Sequence, residues 1–580
     1  MKADRTSRAV LVSCALAATL PAVADEKEEL LKLRNTTLNL IELLVQQGVL
    51  DKRKAEQMIQ QAERKAAAEA KAQAEQEARA AAAGREAAKP GTAAPGGKGG
   101  PPVRVTYVPE FIKEEIRQEV AKDLEAKVTK QVKAQAKQEK WGIPAALPEW
   151  VSRFKPYGDI RLRFEDQFFG DNNRPNTYPN WPLINAKGGI TRVDNPWLNT
   201  THDRDRFRLR LRLGLEYEIA DSLRAAVRLT TSNDFSPISL NQTLGQYGTG
   251  YQVQLDRAFL QYDYLDPHGH DWITAWGGRI PNPWFSTDNM FDQDLNFEGF
   301  ATTLRMPFGD ETPELKAYQA IKTAGQQQLN MGYTKPNEVY LTLGYFPLQE
   351  ITLSAHDKYL WAAQGGLDWL FTGHSRIKLG LGYYHYNNTQ ARRNFLGSTE
   401  YDWTAPQFFT QGNSLARISN DLDPANEPRL VGLASKFHIF DAVLLYDYTA
   451  FAPNHLMLVG NYSHNFGFDQ AQILRALGEN IAPRTDAFEV RFQVGHPEIA
   501  RPGDWNAWVA YKYLDRDSVL DAFTDSNFHL GGTNAKGWVI YGNYAFAHNL
   551  WLNLRWFSAS VISGPTYDVN LLQADLNARF

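Results

Sequence analysis

The sequence is almost without cysteine. Its 580 residues contain one, Cys14, and that residue lies inside a stretch that reads as a cleavable export signal. Lys2, Arg5 and Arg8 form a basic start and Ala9 to Leu20 a short apolar core. Pro21-Ala22-Val23-Ala24 ends in an A-x-A site, so cleavage is expected after Ala24. Leu11-Val12-Ser13-Cys14 has the look of a lipoprotein box, but only five uncharged residues separate Arg8 from Cys14, too few for an apolar core. The exported chain then has neither thiol nor disulfide, and its net charge moves from −4 to −6 as three basic residues and one acidic residue leave. Large exported chains without cross-links suit the bacterial envelope, where a closed sheet supplies stability instead.

Three further absences narrow the function. No apolar run of about 18 residues follows the signal, which excludes helical membrane spans. The near-neutral charge offers no basic footprint for nucleic acid. Gly-x-Ser-x-Gly, His-Glu-x-x-His and any other zinc spacing are missing, and several of the twelve histidines, such as His268, His270 and His548, fall at predicted turns. No catalytic residue, metal site or cofactor is therefore expected, and an outer-membrane enzyme is the weaker reading.

Aromatic residues are absent from the first 106 positions, whereas all 70 of them follow. That shift divides the chain. Residues 25–89 are rich in Ala, Glu, Gln and Lys. Helices are expected over 26–47, with Leu30, Leu31, Leu38, Ile41 and Leu44 as apolar positions, and over 52–88, after Gly48 as a stop and Asp51 as an N-cap. Residues 90–102, with four prolines and five glycines, read as a linker. Within 103–149, Val103 to Pro109 reads as one strand and 110–139 as a helix. That helix carries Ile112, Ile116, Val120, Leu124, Val128, Val132 and Ala136 at a strict spacing of four. A period of four drifts around an α-helix, so this is not a heptad seam, and a coiled-coil stalk competes with a solvated spacer.

From residue 150 the period becomes two. In Arg206 to Glu218 the odd positions Phe207, Leu209, Leu211, Leu213, Leu215 and Tyr217 are apolar, while Arg206, Arg208, Arg210, Arg212, Glu216 and Glu218 alternate with them. Leu223 to Leu229, Leu552 to Trp556 and Leu572 to Phe580 repeat the pattern. A soluble sandwich also alternates, but three features favour a membrane barrel. The segments run about ten residues, enough for a tilted strand to cross a bilayer. Short turns, 219–222 and 547–549, alternate with long loops, 169–205 and 388–428. Trp272, Trp276, Tyr383, Tyr384, Trp505, Trp508 and Trp538 crowd segment ends, where an interfacial girdle is expected. Residues 150–580 are thus read as an all-β antiparallel transmembrane barrel of about 16–18 strands, preceded by an α-helical periplasmic extension. Nineteen candidate strands conflict with the even number such a barrel requires, and forward and backward counts disagree between 388 and 455. Eighteen is favoured, with sixteen as the alternative. Either leaves a water-filled bore, and about 430 residues are too few for a 22-strand plugged transporter.

Two features face that bore. Arg161, Arg163, Arg206, Arg208, Arg210, Arg212, Arg224 and Arg228 lie on the first three strands and form a basic wall. The bland alternative is that Asp159, Glu165, Glu216 and Glu218 simply neutralise it. The segment from Ile280 to Gly299 carries Asp288, Asp292, Asp294 and Glu298 with no Lys or Arg, and Trp284, Phe285, Met290 and Phe291 give it apolar anchors. It is expected to fold inward as a constriction loop facing the arginines, setting up a transverse field. An ordinary exposed acidic loop is the competing reading. Phe580, ending an alternating strand, is the expected assembly signal for the barrel-insertion machinery.

Pro148-Glu149-Trp150, Tyr157 to Glu165, Arg206 to Gly214, Val103 to Glu110, Gly278-Arg279 and the helical stretch Leu40 to Leu50 together resemble the bacterial putative-porin family. The likeness spans most of the mature chain outside the Ala-rich segment and the long loops. It implies an outer-membrane β-barrel porin and carries over no ligand residues. The expected function is passive diffusion of small hydrophilic solutes or ions, with outer-membrane lipid as surroundings and a homotrimer as a candidate assembly. The alternative is an envelope tether, whose periplasmic helices bind the cell wall while the barrel serves as anchor.

Overall fold

The computed structural model describes residues 151, 153–233, 236–266, 270–309, 337–372 and 374–580. The expected export signal, the helices expected over 26–47, 52–88 and 110–139, and the linker and strand expected at 90–102 and 103–109 lie outside them.

Nineteen strands follow one another among the described residues: β1 (Phe154–Phe169), β2 (Arg204–Ala220), β3 (Leu223–Thr231), β4 (Gln242–Thr243), β5 (Val253–Leu265), β6 (Asp271–Pro281), β7 (Asn296–Pro307), β8 (Glu338–Gln349), β9 (Lys358–Thr372), β10 (Ser375–Asn387), β11 (Leu415–Arg417), β12 (Val431–Leu433), β13 (Phe437–Tyr448), β14 (His455–Asn465), β15 (Asp486–Gly495), β16 (Trp505–Leu514), β17 (Ala535–Ala547), β18 (Leu550–Val561) and β19 (Asp568–Arg579). All but β4, β11 and β12 form one antiparallel meander, and β1 pairs with both β2 and β19. The sheet therefore closes into a sixteen-strand barrel with every long strand paired on both edges. In hydrocarbon this is the requirement that only a closed sheet or a helix meets.

Sixteen replaces the eighteen favoured from sequence, and the difference falls where the counts disagreed. Between β10 and β13 the chain makes only the ladder of β11 with β12, three residues each, which stays apart from the barrel sheet. Its pairing is real, but three residues are too short to cross a bilayer.

The period-two pattern sorts the two faces. On β2, Arg208 and Arg210 are buried inside, whereas Phe207 is 59% and Leu213 46% exposed on the outside. A water-soluble protein would show the reverse. Apolar side chains toward lipid and charged ones toward the bore are what a membrane barrel with a wet lumen needs. The tight turns fall as expected, at Asp221-Ser222 and at His548-Asn549, where Asn549 takes a left-handed φ of 57°.

The expected girdle is only partly one. Trp272, Tyr383, Trp505 and Trp538 are exposed on the outer surface. Tyr384 and Trp508 have the opposite parity to Tyr383 and Trp505 and face the lumen, and Trp276 does too, because the β5–β6 register shifts beside Trp272. Trp276 donates from Nε1 to Gln261 at 2.8 Å, Tyr384 packs on Trp284, and Arg491 lies over the Trp508 ring.

Candidate functional site

Two long connections fold into the barrel. The first, residues 282–295, joins β6 to β7 and is the third connection on the long-loop end. Trp284 is fully buried, with its ring 5.3 Å from Tyr384 and 6.1 Å from Phe346. Phe291 meets Tyr384 and Phe297 edge-on at 5.3 and 5.1 Å. Gln364 on β9 clamps the backbone of Phe285 from both sides, accepting from its N–H at 2.9 Å and donating to its carbonyl at 2.8 Å. Each buried aromatic of this kind contributes ~2 kcal/mol or more of burial energy, and edge-to-face pairing adds to it.

The second is residues 515–534, between β16 and β17, which the sequence reading did not single out. It stacks on the first. Asp292 N–H donates to the Phe523 carbonyl at 2.7 Å, Asp525 N–H to the Asp288 carbonyl at 2.9 Å, and Ser526 N–H to the Asp292 carboxylate at 2.8 Å. A signal was present: Val519, Leu520, Phe523 and Phe528 interleaved with Asp517, Asp521 and Asp525 repeat the mixture of apolar anchors and acids found in 282–295. Val519, Leu520 and Phe528 join Trp284, Met290 and Phe291 in a single buried cluster that extends to β8, β10, β13 and β16–β18. The loops thus fill the far side of the bore, and the polar passage is displaced toward β1, β2, β18 and β19.

That side carries the arginines. Register places Arg161 opposite Arg210 and Arg163 opposite Arg208 on β1 and β2. Like charges facing one another across a ladder repel, and carboxylates intervene at every one. Arg163 makes a two-point contact with Asp575 at 2.6 and 2.8 Å, and Arg161 lies 3.5 Å from the same carboxylate. Arg206 and Arg208 share Glu165 at 2.5 and 3.4 Å. Arg210 and Arg212 share Asp159 at 3.0 and 2.7 Å. Arg228 bonds Asp256 at 2.5 Å, and Arg224, nearer the short-turn end, sits 3.7 Å from Glu216. The wall is therefore paired throughout, and Asp575 and Asp256 join Asp159, Glu165 and Glu216 in pairing it. Glu218 instead pairs with Lys155.

Two of the four acids expected in the inward loop meet cations across the bore. Asp294 lies 3.0 Å from Arg210 and 4.0 Å from Arg212. Asp288 binds Lys512 at 2.8 Å and Arg491 at 3.5 Å. Asp292 has no cation within pairing distance; its carboxylate accepts from the N–H groups of Asp294 and Ser526, both at 2.8 Å. Glu298 is not brought to this wall. The inward loop ends at Leu295, and Glu298 lies on β7 with a half-exposed side chain paired to Arg279.

The three loop acids titrate differently. Burial works to raise Asp294, but the charges of Arg210, Arg212 and Arg161 outweigh it and hold this carboxyl below the ordinary range. Asp288 is likewise lowered against its burial, by Lys512 and Arg491. Asp292 goes the other way: burial, then the neighbouring charges of Asp294 and Asp525, push it well up.

Between loops and wall lies a small cavity of about 30 Å³. Arg161, Arg163 and Arg555 line one side of it, and Asp288, Asp292, Asp294 and Asp525 the other. On the short-turn side it continues into a cavity of about 460 Å³, which shares Arg161, Arg555, Gln293, Asp294 and Tyr541 with it. At the long-loop end a mouth of about 690 Å³ is lined by Phe169, Tyr178, Trp181, Phe408 and Tyr567. No group of acidic, histidine or cysteine side chains suited to a metal ion occurs among the described residues. Phe580 continues the β1 ladder, exchanging backbone bonds with Gly158 at 2.8 and 3.0 Å, and its ring is exposed.

No curated protein matches the chain. Among solved structures, OprB of Pseudomonas putida at high pH is 13% identical, with 74% of this chain and 96% of that chain covered and a TM-score of 0.39. The outer-membrane channel DcaP of Acinetobacter baumannii is 10% identical, with 74% and 97% covered and a TM-score of 0.36. OmpF of Salmonella typhi, in complex with daunomycin, is 10% identical, with 74% and 97% covered and a TM-score of 0.35. The family model described as putative porin matches residues 34–580, nearly the whole chain. The chain belongs to that family, and its closed barrel with a wet, charged bore is an outer-membrane channel.

Proposed function

We propose that the protein is a diffusion porin for small hydrophilic solutes, and that its selectivity is set where the two inward loops face the arginine wall. The observation that carries this reading is the narrow passage with guanidiniums on one side and four aspartates on the other. Opposed charges across a narrow, low-dielectric opening create a transverse field that orders water and orients dipolar solutes, so a solute crosses more easily if it is small and polar. Most of the charges are paired, so the field, rather than a net charge, does the sorting.

The short-turn end is assigned to the periplasm, together with residues 25–149 after removal of a signal ending at Ala24. A homotrimer in outer-membrane lipid is the assembly we favour. The test is single-channel recording in planar bilayers with Arg161→Ala/Arg163→Ala. This double variant widens the passage and leaves Asp575 with only Arg555, 3.6 Å away, as a counter-charge. Conductance is expected to rise and selectivity to move toward cations. Unchanged current and unchanged reversal potential would show that these groups do not bound the route.

A further inference from the structure

Arg257, on β5, differs from the eight arginines of the wall. Each of those has a carboxylate within 4.0 Å. Arg257 has none among the described residues. Its Nε donates to Asn296 Oδ1 at 2.7 Å, and its two terminal nitrogens make no hydrogen bond there. The neighbouring acid is already committed: Asp256 accepts from Arg228 with one oxygen and from Asn296 with the other, both at 2.5 Å. Arg228 and Arg212 are close enough to add positive potential.

The guanidinium lines the cavity of about 460 Å³ beneath the passage, and so does Tyr157. Tyr157 stands opposite Gly214 in the β1–β2 register, and a side chain at Gly214 would strike its ring, with an added Cβ only 2.2 Å away. Glycine thus interrupts the arginine row where the ring must lie. The Tyr157 hydroxyl also makes no hydrogen bond to the described residues. A guanidinium held at Nε presents its outer edge as two parallel N–H donors, which matches the two oxygens of a carboxylate. A cavity of this size admits an organic anion of several heavy atoms.

We propose that the free edge of Arg257, with Tyr157 lining the same cavity, is a binding subsite for small organic carboxylates below the constriction. The inference rests on the porin reading and names the solute class that pauses in the bore. A carboxylate seated there restores to Arg257 the counter-charge that the other wall arginines take from the protein.

The test uses the full chain in planar bilayers bathed in potassium chloride, with sodium acetate and then sodium propionate added. Wild type is expected to show a saturable fall in chloride current as carboxylate occupies the site. In Arg257→Gln the half-blocking concentration should rise roughly ten-fold, the loss expected for a charged two-point contact. Tyr157→Phe removes one donor without altering charge and should raise it less. Arg257→Lys keeps the charge but not the fork and should recover little. Full recovery by lysine, or block that does not saturate in wild type, would overturn the subsite while leaving the channel intact. Failure of wild type to form channels at all would overturn the porin reading instead.

Discussion

At the residue scale, the passage owes its properties to how few of its charges are free. Arg163 and Asp575 are almost inaccessible, and removing one partner of such a buried pair costs about 3–5 kcal/mol because the other charge is left unpaired. Asp292 is the exception. Its carboxyl sits among acids and backbone donors with no cation at pairing distance, and burial and like charge raise it. A carboxyl raised in this way stays neutral where ordinary carboxylates are ionised, and it gains its negative charge only as the pH climbs through the elevated value. The passage should therefore become more cation-selective as pH rises above the usual carboxylate range. Reversal potentials in a salt gradient, measured from pH 4 to pH 9, should show this drift in wild type. Asp292→Asn should flatten it, whereas a drift of the same size in the variant would place the titrating group elsewhere.

At the scale of elements, the loop at 282–295 is held by its aromatic anchors rather than by its acids. Trp284 packs against Phe346 and Tyr384 in a fully enclosed position. Trp284→Ala should cost about 3–5 kcal/mol of packing, and most of that loss should be local, because the barrel ladder does not pass through the loop. The expected result is noisier, larger single-channel current with the barrel still folded, read from recordings beside thermal unfolding followed by circular dichroism. Quiet channels of wild-type size would mean that the loop is held by other contacts. The same logic shows why the second inward loop escaped notice in the sequence. Val519, Leu520 and Phe528 are as apolar as Trp284, Met290 and Phe291, but Arg516 and His529 break the run of acids, so the same mixture of anchors and acids is less plain in 515–534 than in 282–295. Its inward direction is decided by backbone bonds to Asp288 and Asp292, partners more than 200 residues away in the chain.

At the scale of the whole molecule, the hydrogen-bond circuit closes between β1 and β19, so the barrel ladder is complete within Phe154–Arg579. A chain lacking residues 25–140 but retaining residues 1–24 should still insert and conduct at wild-type levels. Loss of conductance on that deletion, with the protein present in the membrane, would give the N-terminal region a part in forming the pore. A tether, by contrast, should lose its envelope phenotype on the same deletion and keep its current.

The strand faces were legible because side-chain parity is a local property. Once Phe207 and Leu213 turn outward, Arg208 and Arg210 must turn inward, whatever lies beyond the strand. The inward fold of 282–295 was legible for a related reason, since tryptophan and phenylalanine beside aspartates need an apolar partner that open water does not supply. Strand number was not legible, because β11 and β12 pair as a true ladder and only their shortness and their failure to join the barrel sheet set them apart. The partners of each arginine were hidden as well. Asp575 comes to Arg163 from the far end of the sequence through closure of the barrel, and Asp294 reaches Arg210 through the path of a loop. Local periodicity thus determined a barrel with a greasy exterior and a charged bore, whereas which charges cancel, and which one is left open to a solute, is decided by long-range closure that no stretch of sequence contains.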